Sequence, residues 1–185
     1  MSEFEDSREN PWQILGQRDV YDNPWFRVVE HDVIHPGGNP GEYGVVSFKN
    51  LAVGIIPLDA EGYTWIVGQY RFALNEYSWE IPMGGVPLDT DPLAGAQREL
   101  REETGLSASR WKKILSARIS NSVTDESGVV YVAEGLEQGE PDFDDTEKIE
   151  IRRLPFDDLV RMTMNGEITD CLSVAGIMQL AALRA

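Results

Sequence analysis

Along this chain the apolar positions alternate, then run together, then recur every three to four residues, and each pattern predicts a different element. Residues 26–34 alternate imperfectly and predict a strand, and residues 43–48 predict a second. Between them Pro36-Gly37-Gly38-Asn39-Pro40-Gly41 is a dense turn cluster, so the pair reads as a hairpin forming a small N-terminal antiparallel sheet. Residues 51–58 are almost continuously apolar and predict a strand buried on both faces; a turn at 59–62 leads into another strand at 63–70. Three more strands are predicted at 111–119, 129–134 and 149–154, with an acidic loop at 137–147 between the last two. Helical spacing appears at 92–104, 156–165 and 170–183. In the last of these Leu172, Gly176, Leu180 and Leu183 share one face while Val174, Ile177 and Met178 occupy another, which predicts a largely buried helix. Strands mixed with a few helices point to an α+β or α/β sandwich.

The helix at 92–104 carries the chemistry. Asp91 suits its N-cap, Pro92 its first turn, and Gly105 the left-handed residue after its last turn. Leu93, Ala96 and Leu100 form an apolar stripe, while Glu99, Glu102 and Glu103 fall at i, i+3 and i+4 on another face. Carboxylates that close repel each other unless a positive group sits among them. An oxygen-only donor set suits Mg²⁺ or Mn²⁺. Taken alone, such a face also describes an ordinary solvated surface.

The surrounding segment resembles the Nudix box, G-x5-E-x7-R-E-U-x-E-E-x-G-U with U aliphatic. Gly84 matches its first glycine, Arg98-Glu99-Leu100 its R-E-U, Glu102-Glu103 its paired acids and Gly105-Leu106 its end. Thr90 stands where the pattern has its first glutamate, and Asp89 or Asp91 is expected to pair with Arg98 instead. The resemblance implies a Nudix α/β/α sandwich with a mixed sheet, the box forming loop–helix–loop. It implies hydrolysis of a nucleoside diphosphate linked to another group, with carboxylate-held metal neutralising the diphosphate while water attacks phosphorus. Glu99 and Glu103 match metal ligands, Glu102 a third acid acting directly or through water, and the Met83 carbonyl a backbone ligand. A general base in related enzymes comes from a later loop, which nominates Glu147 first and Asp145 second; the alternative is a plain acidic loop.

Upstream, Val67-Gly68-Gln69-Tyr70-Arg71-Phe72 and Trp79-Glu80-Ile81-Pro82-Met83-Gly84-Gly85 resemble the approach to the box in ADP-ribose and related nucleotide-sugar pyrophosphatases. That branch also has an extra N-terminal sheet, here residues 1–48 ahead of a hydrolase domain at 49–185, and Gly166-Glu167-Ile168-Thr169-Asp170 before the last helix fits it too. By resemblance Arg71 pairs with a phosphate, whose oxygens fit a guanidinium fork. Glu80 accepts from sugar hydroxyls or helps hold metal, and Trp25 or Phe26 stacks on a base, although core packing is the plainer role for both aromatics. A proline common in ADP-ribose enzymes is missing from the Ser120–Asp125 region, which leaves GDP-mannose or another nucleotide sugar open. The branch also implies a homodimer that exchanges its N-terminal sheets. Competing readings are a dinucleoside polyphosphate, NADH or damaged nucleoside triphosphate substrate, or a domain that senses nucleotide without catalysis; retention of all three box acids weighs against the last.

Composition narrows the setting. At 185 residues with 42% hydrophobic positions the chain is long enough for one full core. Its net charge of −16 repels nucleic acid and anionic lipid, though a carboxylate-held cation still recruits a small phosphorylated substrate. No apolar run approaches the ~18 residues of a membrane span. The acidic start, Met1-Ser2-Glu3-Phe4-Glu5-Asp6, lacks the pattern of a secretory signal. The single Cys171 forms no intrachain disulfide and agrees with a reducing cytoplasm, and its apolar neighbours predict a packing role.

Overall fold

The computed structural model describes residues 9–140 and 148–185. They divide into two compact units: the chain up to Lys49 together with Ser120–Asp125, and Asn50–Ile119 together with the chain from Glu126 onward.

The first unit is a three-stranded antiparallel sheet of β1 (Gln13–Asp22), β2 (Phe26–Ile34) and β3 (Pro40–Phe48), in that order. The hairpin β2–β3 forms as its turn cluster predicts, in unbroken register from Phe26 opposite Phe48 to Ile34 opposite Pro40. The sequence pattern misses β1. Its side chains are exposed on both faces, so no alternation marks it, and its pairing with β2 is interrupted by two register shifts. Ser120–Asp125 joins this unit through a bridge between Val46 and Thr124 and through Asp125, which accepts from Ser47 Oγ at 2.5 Å and the Phe48 amide at 2.8 Å.

The second unit is built on a seven-stranded mixed sheet. Its strands are β4 (Asn50–Leu58), β5 (Tyr63–Arg71), β6 (Glu76–Glu80), β7 (Met83–Pro87), β8 (Leu106–Arg118), β9 (Ser127–Gln138) and β10 (Glu150–Pro155), with helices α1 (Pro92–Thr104), α2 (Phe156–Met164) and α3 (Cys171–Arg184). The main path runs β10-β5-β4-β9-β8; β6 pairs with β5 and β7 with β4. Among the described residues of this sheet only β4 and β9 pair in parallel. β4 and β5 touch in register at one pair, Leu58 with Thr64, and then diverge, so β6 and β7 complete the ladders each leaves open.

The apolar run of β4 serves two faces at once. Val53 and Ile55 pack with Val129 and Ala133 of β9 and with Ala96 and Leu100 of α1. Ile56 and Leu58 point the other way, with Val130 and Val132, into a core closed by Phe156 and Leu159 of α2 and Leu172, Ile177 and Leu180 of α3. The sheet is therefore sandwiched between α1 on one face and α2–α3 on the other, the mixed α/β sandwich and small antiparallel sheet that the sequence leads one to expect.

Several boundaries differ from the pattern-based ones. β8 begins at Leu106, directly after the α1 cap, and β9 runs on to Gln138, because backbone pairing between them continues where side chains are polar. β6 and β7 are five residues each and too short to show a period. α3 buries only one side, through Leu172, Ser173, Gly176, Ile177 and Leu180, and Leu183 is exposed. Cys171 is exposed as the first residue of that helix, which corrects its expected packing role: at the first turn it lies off the buried stripe. Among the described residues no helix is long and apolar enough to cross a membrane.

Candidate active site

α1 starts and stops where its local chemistry dictates. The Asp91 carboxylate accepts from the Leu93 N–H at 3.1 Å, Pro92 occupies the first turn, and Gly105 takes φ 73° and donates back to the Arg101 carbonyl at 2.9 Å. The apolar stripe through Ala96 and Leu100 is buried against the sheet, and Glu99 and Glu103 meet the strand β7 that precedes the helix.

Each acid then has a different environment. Glu103 is 5% exposed and accepts from the Met83 N–H at 3.0 Å. Glu99 lies against Gly84: a Cβ there would stand 2.2–2.4 Å from its carboxyl atoms, so only glycine leaves the carboxylate its place. Glu102 is the most open and meets Arg98 Nε at 3.4 Å. Arg98 also donates to Glu99 and, more weakly, to the Gly85 carbonyl at 3.4 Å. Its guanidinium is held above its ordinary value chiefly by the hydrogen bond to Glu99, against some burial, with the charges of Glu99 and Glu102 adding.

This corrects the expected partner of Arg98. Asp91 is occupied as the helix cap, and the hydroxyl of Thr90 donates to the Pro87 carbonyl at 2.5 Å, closing the turn into α1. Thr90 thus acts as a turn residue, and the box arginine takes its acids from its own helix instead.

Arg71 and Glu80 come together across the β5–β6 ladder. Glu80 is 3% exposed, and Arg71 grips it with two nitrogens, Nε at 2.9 Å from Oε1 and Nη2 on Oε2. Such bidentate geometry is what makes burial of the charge tolerable. The Arg71 guanidinium is held above its ordinary value first by the Glu80 hydrogen bonds, opposed by burial, then by the charges of Glu80, Asp170 and Glu103. Glu80 is therefore no solvated strand end, and of the box-helix acids Glu103 acts on Arg71 through its charge. The charge of Asp170, visible in the sequence only as the lead into α3, also acts on Arg71.

Four candidates remain. Trp25 and Phe26 belong to the first unit. Trp25 is 65% exposed rather than packed in a core, and Phe26 lies beside Tyr21 and Phe48 with ring centroids 5.8 and 6.1 Å away. Asp145 and Glu147 lie outside the described residues.

Among the described residues no three His, Cys, Asp or Glu side chains stand grouped as a ready metal cage. The donor chemistry nonetheless fits a hard divalent cation: Glu99, Glu102, Glu103 and the Met83 carbonyl supply only oxygen. Arg98 pairs with both Glu99 and Glu102, supplying positive charge between those two acids. Gly84→Ala is expected to push Glu99 out of its place, since the obstacle is the end of a flexible side chain rather than backbone. Activity should fall about as far as in Glu99→Gln, with the melting temperature nearly unchanged. Activity close to that of the parent would remove Glu99 from the site.

Comparison with known proteins agrees with this geometry. Residues 48–171 match the NUDIX domain model, and residues 12–46 match the nucleoside diphosphate sugar hydrolase N-terminal domain. The chain is 30% identical over 178 residues to the ADP-ribose pyrophosphatase of Mycobacterium tuberculosis, covering 95% of this chain and 86% of that one. It is 27% identical to the CMP-5'-(N-acetyl-N-hydroxy-3-aminopropyl)phosphonate hydrolase of Streptomyces rubellomurinus, covering 93% of this chain and 83% of the relative. An ADP compounds hydrolase of known crystal structure shares the fold, with a TM-score of 0.83 and 18% identity over 93% of each chain. With its acids, glycine and arginine in place along α1 and β7, and a family match over most of its length, this chain belongs to the Nudix hydrolases.

Proposed function

We propose that this chain hydrolyses the diphosphate bond of a nucleoside diphosphate sugar, ADP-ribose or a relative such as GDP-mannose, to a nucleoside monophosphate and a sugar phosphate. The observation that carries the reading is the placement of two α1 acids on β7, Glu103 on the Met83 amide and Glu99 against Gly84. Similarity to an ADP-ribose pyrophosphatase along nearly the whole chain, N-terminal sheet included, supports the choice of substrate class.

In this reading Glu99, Glu103, Glu102 and the Met83 carbonyl hold Mg²⁺ or Mn²⁺. When bound, the cation neutralises diphosphate oxygens and lowers the pKa of water. Arg71 presents the exposed edge of its guanidinium to a phosphate. Glu80 holds that guanidinium in one orientation, its burial leaving little surface for sugar hydroxyls. Glu147, with Asp145 second, takes the proton of the attacking water. The working form is a cytoplasmic homodimer joined through the small sheets, and gel filtration showing a monomer at micromolar concentration would overturn that part.

The test is a panel of ADP-ribose, GDP-mannose, UDP-glucose, NADH and a diadenosine polyphosphate, scored for monophosphate release with Mg²⁺ and then with chelator. Metal-dependent cleavage of one nucleotide sugar above the rest is expected. Preference for NADH or the polyphosphate would replace the substrate class. Nucleotide binding with no turnover would make the domain a sensor.

A further inference from the structure

The corner between β6 and β7 carries Glu80 at one end and Met83 at the other, and three different elements hold it. Glu80 is the last residue paired to β5, opposite Val67, and Met83 the first paired to β4, opposite Gly54. Ile81 and Pro82 cross between those edges and leave both ladders. Pro82 has no N–H, and its carbonyl accepts from the Ile55 N–H at 2.8 Å. The Ile81 N–H, in a residue with no solvent exposure, has to find its acceptor outside the sheet. It donates to Ser173 Oγ at 3.1 Å, across 92 residues of sequence.

Ser173 is fully buried in the first turn of α3, where its own N–H donates to the N-cap carboxylate of Asp170 at 2.7 Å. The Ile81 side chain is wedged as well, since a Cβ on Gly54 would stand 2.8 Å from its Cδ1. The crossing is thus stopped on one side by β4 and held on the other by a single hydroxyl. Packing alone does not call for that hydroxyl. α3 meets the core through Leu172, Gly176, Ile177 and Leu180, and alanine at 173 would be the better helix former.

We infer that Ser173 is a positioning residue of the active site: by accepting the Ile81 amide it sets the crossing so that Glu80 meets Arg71 and Met83 meets Glu103. This rests on the reading of Glu99 and Glu103 as metal-holding acids. Asp170 serves the same end, since it fixes the turn that carries Ser173 while its charge reaches Arg71.

The test compares Ser173→Ala and Ser173→Thr with Thr163→Val. Thr163 is a buried hydroxyl of α2 that donates only within its own helix, to the Leu159 carbonyl at 2.9 Å. Three quantities are read: amide hydrogen exchange at Ile81 and Met83, Mn²⁺ affinity by electron paramagnetic resonance, and kcat and KM on the best nucleotide sugar. Ser173→Ala should speed exchange at both amides. It should also weaken Mn²⁺ binding and lower kcat by about 10-fold or more, the scale for losing an outer-shell partner, with KM changed by no more than about twofold. Ser173→Thr should restore exchange toward the parent. Thr163→Val should do none of this at an equal loss of melting temperature. If Ser173→Ala merely matches Thr163→Val, with Met83 exchange and Mn²⁺ affinity unmoved, the inference is overturned. If the parent binds no Mn²⁺, the metal reading fails, and the exchange at Met83 still decides whether Ser173 holds the crossing.

Discussion

Replacing Glu103 with glutamine is expected to lower kcat by at least about 10²-fold, the scale for losing one preorganised electrostatic contact to a transition state, while the fold persists. Glu103 is nearly buried, so its charge is poorly screened and acts strongly on whatever cation or phosphate stands beside it. Glutamine keeps the side-chain length and an oxygen able to accept from Met83, so the 3.0 Å contact that ties α1 to β7 survives. What disappears is the anion. Glu102, more exposed and already meeting Arg98, should show a smaller loss on the same change. Paired measurements of kcat and melting temperature check this. Near-normal turnover of Glu103→Gln would remove it from the site, and a collapsed melting temperature would make its role structural.

Arg71→Ala should lower both stability and substrate affinity, through one cause. It leaves Glu80, whose side chain is 4% exposed, as a buried carboxylate without the guanidinium that now grips both its oxygens. Breaking a fully buried pair costs about 3–5 kcal/mol. Because the Arg71 side chain is 36% exposed, solvent screening brings the expectation down to about 2–3 kcal/mol. In a chain of this size that is roughly 5–10 °C in melting temperature. The loss should also depend on pH. A carboxylate stranded in a buried site has its folded-state pKa raised above the unfolded value, so the folded variant favours the protonated acid. The variant is then least impaired at about pH 5 and falls further behind the parent toward about pH 8. The parent should show no such dependence on Arg71, whose raised pKa loses its stabilising proton only at pH above the arginine range. Thermal melts across that range decide it. A pH-independent deficit would mean Glu80 finds another cation. An unchanged KM for the nucleotide sugar would take Arg71 out of phosphate binding.

The two variants differ in how far the sequence could foresee them. Glu103 was legible because everything that places it is local: an Asp91 cap, a proline in the first turn, a glycine after the last, and an apolar stripe that decides which face looks inward. The boundaries of α1 follow from those signals, and the motif spacing names the acids. The β2–β3 hairpin was legible for the same reason, its turn chemistry lying next to its strands. Strands without alternation, such as β1, and strands of five residues, such as β6 and β7, left no period to detect. The sequence offers Arg98 the acids Asp89 and Asp91 ahead of the helix, but Asp91 is consumed as the cap and Arg98 pairs with Glu99 and Glu102. Cys171 is exposed despite its apolar neighbours, because such a neighbourhood does not say which side of a helix is covered.

By itself, then, the sequence determined the mixed α/β class, the box helix with its three acids, and the family. Those depend on composition, on period and on interactions within one or two turns of chain. The tertiary structure alone decided that Arg71 embraces Glu80, that Arg98 settles between Glu99 and Glu102, and that a serine of the last helix holds the amide of Ile81. Most of these contacts join segments that become neighbours only when the sheet forms. The choice of partner for Arg98 is local in reach, but the folded turn takes Asp91 as its cap and leaves Arg98 with Glu99 and Glu102.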